Sequence, residues 1–229
     1  MTDWLAGFWA EDVPMLASGL WMTLELLVLS SIAGILLAVP LALARLAPGR
    51  LLPGGALAYS VFFRGTPLLV QIFLIYYGAA QFSFIRHSAA WVVLRDAFPC
   101  ALIALSLNMA AYVAEVLRAG ILAVPQGERE AALALGMGPV LRYRRIILPR
   151  AVRLVLPALS NELVIQLKST SLASTVTLLD VTGAARRLAA ASYTTDPLLV
   201  AGGIYVVLTW GIARGFRGLE RGLIRDERR

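Results

Sequence analysis

In 229 residues the chain has one cysteine, one histidine and one lysine. A lone Cys100 inside an apolar run excludes a disulfide framework and any cysteine-based metal site. The isolated His87 makes a histidine-based site equally untenable. Charge is scarce as well, at 15% of residues against the quarter or so typical of a soluble domain. The chain lacks a Gly-x-x-x-x-Gly-Lys-Ser/Thr phosphate loop. No Ser/His, metal-ligand or paired-carboxylate arrangement survives placement on helical faces, which argues against an intramembrane enzyme. There is no internal repeat, as a self-contained inverted-repeat transporter would have. The first residues lack a basic stretch and carry Asp3, Glu11 and Asp12, unlike a cleavable signal peptide.

What is present is apolar. Hydrophobic residues make up 59% of the chain and the mean hydropathy is +0.75. They fall in blocks long enough to cross a bilayer, which takes about 20 residues per helix. The net charge of +7 does not point to nucleic acid, because the arginines sit dispersed at the ends of apolar segments. Trp4, Phe8 and Trp9 read as an amphipathic lead-in at a membrane surface. Five spans are expected, at about 19–46, 66–84, 99–122, 152–168 and 198–215, in an all-α integral membrane domain covering 1–229. Pro48 to Gly55 reads as a loop by its breaker content. Thr66-Pro67 reads as a helix cap and first-turn proline. Leu178 to Ser192 reads as an amphipathic surface helix.

Basic residues set the orientation. One side collects 16 of them, Arg45, Arg50 and Arg64 included, and the other only Arg86, Arg95, Arg186 and Arg187. The expected topology places the N-terminus outside and the C-terminus in the cytoplasm. Five helices are few for a transport path, so a second copy or partner is expected.

The only long polar insert is 126–149. Glu128 to Leu135 is rich in strong helix formers with acids in the first turn, and Gly136 supplies a helix stop. A second short helix is expected over about Pro139 to Ile147, ending at Leu148-Pro149. By itself this insert could be an amphipathic loop lying on lipid headgroups. Its residues resemble something more specific. Glu130-Ala131-Ala132, Gly136 four residues later, and Ile146-x-Leu148-Pro149 resemble the EAA loop of ABC importer permeases, position for position. The likeness extends to Phe63-Arg64-Gly65-Thr66-Pro67-Leu68-Leu69-Val70-Gln71, to Leu107-Asn108 with Ala111-Tyr112 and Glu115, and to Ser160-Asn161-Glu162 with Ser169-Thr170-Ser171-Leu172. Together these look like the polar amino acid branch of that family.

The resemblance implies a five-helix type I permease fold and a cytoplasmic coupling loop. It also implies a bacterial inner-membrane location. Expected partners are a cytoplasmic ATPase dimer that carries ATP and Mg, a second permease subunit, a periplasmic amino-acid-binding protein and membrane lipid. No cofactor is expected in this chain. Within the branch, Ser160-Asn161-Glu162 looks like the subunits of histidine, arginine, lysine, ornithine and opine importers.

Charged groups deep in a span usually face a cavity or a partner. Asn108, Tyr112 and Glu115 fall on one face of the third span, and Glu162, Gln166 and Ser169 on one face of the fourth. Asn161 and Lys168 fall on an adjacent strip. Glu162 and Lys168 are about 120° apart on an ideal helix and so are free to meet an amino acid zwitterion. Each has a plainer reading: Glu115 could pair with Arg118, and Lys168 could snorkel to water. A glutamine or glutamate importer, with Lys168 addressing a carboxylate, is the alternative cargo. A membrane scaffold or sensor without transport is the alternative class.

Overall fold

The structure is a computed structural model and describes residues 12–226, which are helical and contain no β-strand. The aromatic lead-in at Trp4, Phe8 and Trp9 lies outside the described residues, as does the end of the arginine-rich tail. Helix α1 (Val13–Leu46) and helix α6 (Ala97–Ala123) form the most extensive helix pair. The contact is built from small residues. A Cβ on Gly34 would stand 3.0 Å from the Met109 Cβ and 3.2 Å from the Ser106 carbonyl, so a larger residue there would have to push the two helices apart by a few tenths of an ångström. Leu26 packs with Ala101, Ala104 and Leu105 near one end, and Ala38 and Ala42 pack with Val113 and Ala114 near the other. The two helices therefore run parallel.

A chain can return between parallel helices only by crossing in the opposite direction, and here it does so in pieces. Helix α2 (Leu51–Gly65) turns through 102° into α3 (Leu68–Phe73), which continues as a π-helical turn over Leu74–Gly78. This corrects the expected second span of 66–84. The apolar stretch before Arg64 is itself a helix, and Pro53, Gly54 and Gly55 lie in its first turn. Proline is harmless there, because first-turn N–H groups have no intrahelical partner. Two short helices, α4 (Ser83–Arg86) and α5 (Trp91–Leu94), occupy the expected connection before α6.

After α6 the polar insert forms α7 (Gln126–Ala134) and α8 (Pro139–Arg142). A π-helical turn over Tyr143–Ile147 then runs directly into α9 (Leu148–Ser169). Contrary to the sequence expectation, Leu148-Pro149 does not end a helix: the chain stays helical and Pro149 sits in the first turn of α9. A 3-10 segment, Thr170–Val176, leads to α10 (Val181–Ser192), and α11 (Asp196–Asp226) completes the chain. Among the described residues, helices α1, α6 and α11 are each long and apolar enough to cross a membrane, and α2 and α3, bent by 102°, are together long and apolar enough for a fourth crossing. Helix α9 is shorter, at 22 residues, and carries Arg150, Arg153, Glu162 and Lys168.

Helix α10 does not span. It lies across the end of the bundle where α1 begins, burying Val181, Ala184, Ala185 and Leu188 against α1 and α11. Asp180 caps it, accepting from the backbone N–H groups of Thr182 and Gly183 at 3.1 Å each. The Tyr205 hydroxyl on α11 donates to the same carboxylate at 3.2 Å. Thr23 on α1 accepts from the Val181 N–H at 3.1 Å. Burial pushes the Asp180 carboxyl above its ordinary range, and the two backbone hydrogen bonds and the Tyr205 hydroxyl partly offset that rise.

Candidate functional site

Two features stand out from the helical packing: a cavity midway along the bundle and the polar hairpin at the end where α1 finishes. The cavity holds about 460 Å³ and lies between the α2–α3 break, α6 and α9. That volume falls within the range of small-molecule sites. Its polar lining is Arg64, Thr66, Asn108, Tyr112, Glu162, Gln166 and Ser169. Glu162 and Ser169 come from one face of α9, as their spacing predicts. Arg64 comes from the last turn of α2, with its guanidinium 5.3 Å from the Tyr112 ring centroid, within cation–π range.

Arg64 is the residue that sequence reasoning misplaced, grouping it with the topology-setting loop arginines. The bend between α2 and α3 instead places Arg64, which is exposed overall, at the wall of the cavity beside Tyr112. The available signal was Arg-Gly-Thr-Pro interrupting an apolar stretch. Arg64 and Glu162 both line the cavity, yet the ion pairs seen among the described residues lie elsewhere.

Two lining amides are engaged in the protein's own hydrogen bonds. Gln166 is buried and donates to the Ser30 hydroxyl at 2.8 Å and the Leu105 carbonyl at 3.3 Å, tying α9 to α1 and α6. Asn108 donates to the Phe63 carbonyl at 3.0 Å and to Gln71 Oε1 at 3.1 Å. Both of its N–H groups are thereby used, leaving its oxygen as the group available to a ligand.

Three of the expected path residues are not brought to the cavity. Glu115 is held by Arg45 Nε at 3.1 Å and Arg118 Nε at 2.9 Å. The i, i+3 pair with Arg118 was foreseeable; the bridge to Arg45 was not. Asn161 and Lys168 are exposed and lie outside the cavity lining.

In the hairpin, Gly136 has φ +72°, and the Gly136 and Met137 N–H groups close on the Leu133 and Ala132 carbonyls at 2.9 and 3.0 Å. This is a left-handed helix stop that favours glycine. Ala132 is buried, whereas Glu130, Ala131, Gly136, Leu148 and Pro149 are exposed and Ile146 is half-buried. Four large apolar side chains are exposed on the hairpin, Leu133, Leu135, Val140 and Leu141, with Leu135 and Val140 81% exposed. Glu128 on α7 pairs with Arg150 on α9 at 3.4 Å, and Arg129 donates to the Ile121 carbonyl of α6. The hairpin is thus fastened to two bundle helices while its apolar tip faces outward.

Comparison with known proteins identifies the family. The family model for the binding-protein-dependent transport system inner membrane component matches residues 13–224. The octopine transport system permease protein of Rhizobium radiobacter is 48% identical over 97% of this chain and 91% of its own length. The arginine ABC transporter permease protein of Haemophilus influenzae is 36% identical, covering 95% of this chain and 96% of itself. A crystal structure of an amino acid ABC transporter with histidines superposes with a TM-score of 0.81 at 36% identity, over 91% of this chain and 94% of that one. The chain belongs to the binding-protein-dependent transport system inner membrane components, the permease family of ABC importers.

Proposed function

We propose that this permease moves polar, basic L-amino acids from the periplasm to the cytoplasm, with the cavity as the place where cargo meets the chain. The observation that carries this reading is that Arg64 and Glu162 line one cavity, while the ion pairs seen among the described residues involve neither of them. A charge at bilayer depth costs about 2.5–3.5 kcal/mol on insertion scales. Leaving two opposite charges apart is reasonable when a ligand completes both. An amino acid brings a carboxylate for Arg64, and a cationic side chain or ammonium for Glu162 and the Asn108 oxygen. The relatives named for octopine and arginine support the same class. In the glutamine or glutamate alternative Lys168 takes the carboxylate, but Lys168 stands outside the cavity and Arg64 fills that role.

The hairpin is read as the coupling element. Leu133, Leu135 and Val140 are exposed on the hairpin that follows α6, and we read them as the surface offered to a cytoplasmic ATPase. That assignment places the C-terminus in the cytoplasm and the N-terminus in the periplasm. ATP and Mg then belong to the ATPase dimer, a second permease subunit completes the path, and a periplasmic binding protein delivers cargo.

Two experiments test the reading. Uptake of labelled arginine should be competed by lysine and ornithine and not by glutamine or glutamate; equal competition by glutamine would overturn the cargo class. An ATPase should co-purify with the chain and be lost in Leu135→Glu; retention at the wild-type level would overturn the docking assignment.

A further inference from the structure

The turn from α2 into α3 leaves backbone groups without helical partners inside the bundle. The Phe63 carbonyl would accept from residue 67, but Pro67 has no N–H. The Thr66 carbonyl is likewise passed over, because the Val70 N–H bonds to Pro67 instead, at 3.0 Å. Unsatisfied carbonyls away from water cost several kcal/mol each at membrane depth, so something must replace the lost bonds.

Two side-chain amides do so. Gln71, 4% exposed on α3, directs Nε2 at the Phe63 carbonyl (2.9 Å), the Thr66 carbonyl (3.1 Å) and the Thr66 hydroxyl (2.8 Å). Asn108 on α6 donates to the same Phe63 carbonyl at 3.0 Å and to Gln71 Oε1 at 3.1 Å. The Thr66 hydroxyl in turn donates to the Phe62 carbonyl at 2.8 Å. The residues clasped by this network, 63 to 66, include Arg64, Gly65 and Thr66, which form one wall of the cavity.

We infer that Gln71 is a positioning residue for transport: with Asn108 it clamps the helix break so that Arg64 is held toward the ligand. Gln71 is not among the cavity-lining residues, so it acts through the wall rather than on cargo. The inference rests on the cavity reading above, and a labelling measurement separates the two. Gly65 has nothing within 4 Å of an added Cβ, so it accepts cysteine. With Cys100→Ala this chain carries no other thiol, and the label on it is read after separating the subunits by electrophoresis.

In the assembled transporter, Gly65→Cys should react with a water-soluble methanethiosulfonate at a rate that changes about fivefold or more when Gln71→Leu is added. In the cysteine-free background with Gly65 intact, Gln71→Leu should raise the KM for arginine uptake about tenfold at an unchanged membrane level. Gln71→Met, which keeps the length of the side chain but removes its N–H donors and lies outside the cavity lining, should shift both readouts in the same direction. It also serves as the test if Gln71→Leu fails to assemble. A purely structural role would lower assembled protein and Vmax without moving KM, and that result overturns the inference. So does an unchanged labelling rate. Altered labelling without arginine uptake in the Gly65 parent supports the clamp and overturns only the cargo reading.

Discussion

Arg45 and Glu115 are 70 residues apart in the chain and meet at 3.1 Å, with Arg118 completing a three-member ion cluster at 2.9 Å. Glu115 is 16% exposed, so it stands between a solvated pair, worth about 0–1 kcal/mol, and a buried one, whose breakage costs about 3–5 kcal/mol. Glu115→Gln leaves two guanidinium groups facing each other and should destabilise the permease by about 2 kcal/mol. The check is thermal unfolding of the purified protein in detergent. Because Glu115 is not in the cavity, the KM for uptake should not move. An unchanged melting temperature or a raised KM would contradict this assignment.

A second prediction concerns the crossing of α6 and α9 just above the hairpin. A Cβ on Gly120 would lie 2.2 Å from Val155 Cγ1 and 3.1 Å from the Ala151 carbonyl. Gly120→Ala should cost about 1–3 kcal/mol through overpacking. Adding Val155→Ala removes the nearer clash, so the double variant should be more stable than the sum of the single effects by about 1 kcal/mol or more. Strict additivity in unfolding measurements would show that the helices do not cross this closely.

The cap of α10 gives a pH dependence. The folded protein raises the Asp180 carboxyl through burial, so the native state holds that proton more readily than the unfolded chain does. The group's contribution to stability therefore falls as pH rises from about 3.9 through the raised native value. Asp180→Asn cannot titrate. The difference in melting temperature, wild type minus Asp180→Asn, should shift in favour of wild type as pH is lowered from 7 to 4. A flat difference, or the opposite trend, would contradict the burial of this carboxylate.

The parts of the fold legible in the sequence were those set by local pattern. The apolar runs of α1, α6 and α11 are continuous, and Gly136 is flanked by helix formers, so both read directly. Helix α2 was hidden because Pro53, Gly54 and Gly55 are loop signals in water, whereas a first turn and a membrane interior tolerate them. That error moved Arg64 out of the candidate site. Face analysis of α9 grouped Glu162, Gln166 and Ser169 because helical periodicity is local. It could not show that Gln166 bonds to Ser30, 136 residues away, or that Glu115 faces Arg45. Such partners are set by tertiary packing, which one sequence does not display.

The central claim is that Glu162, with Arg64 opposite, meets a basic amino acid in the cavity. The most direct measurement is ATP-driven uptake of labelled arginine into proteoliposomes carrying the whole complex, with wild-type permease and with Glu162→Gln. The prediction is a loss of about tenfold or more in arginine uptake at low substrate, with ATPase co-purification unchanged, since a charge-assisted contact is worth about 1.5–3 kcal/mol. Arginine uptake by Glu162→Gln at the wild-type KM and rate, in an intact complex, would contradict it.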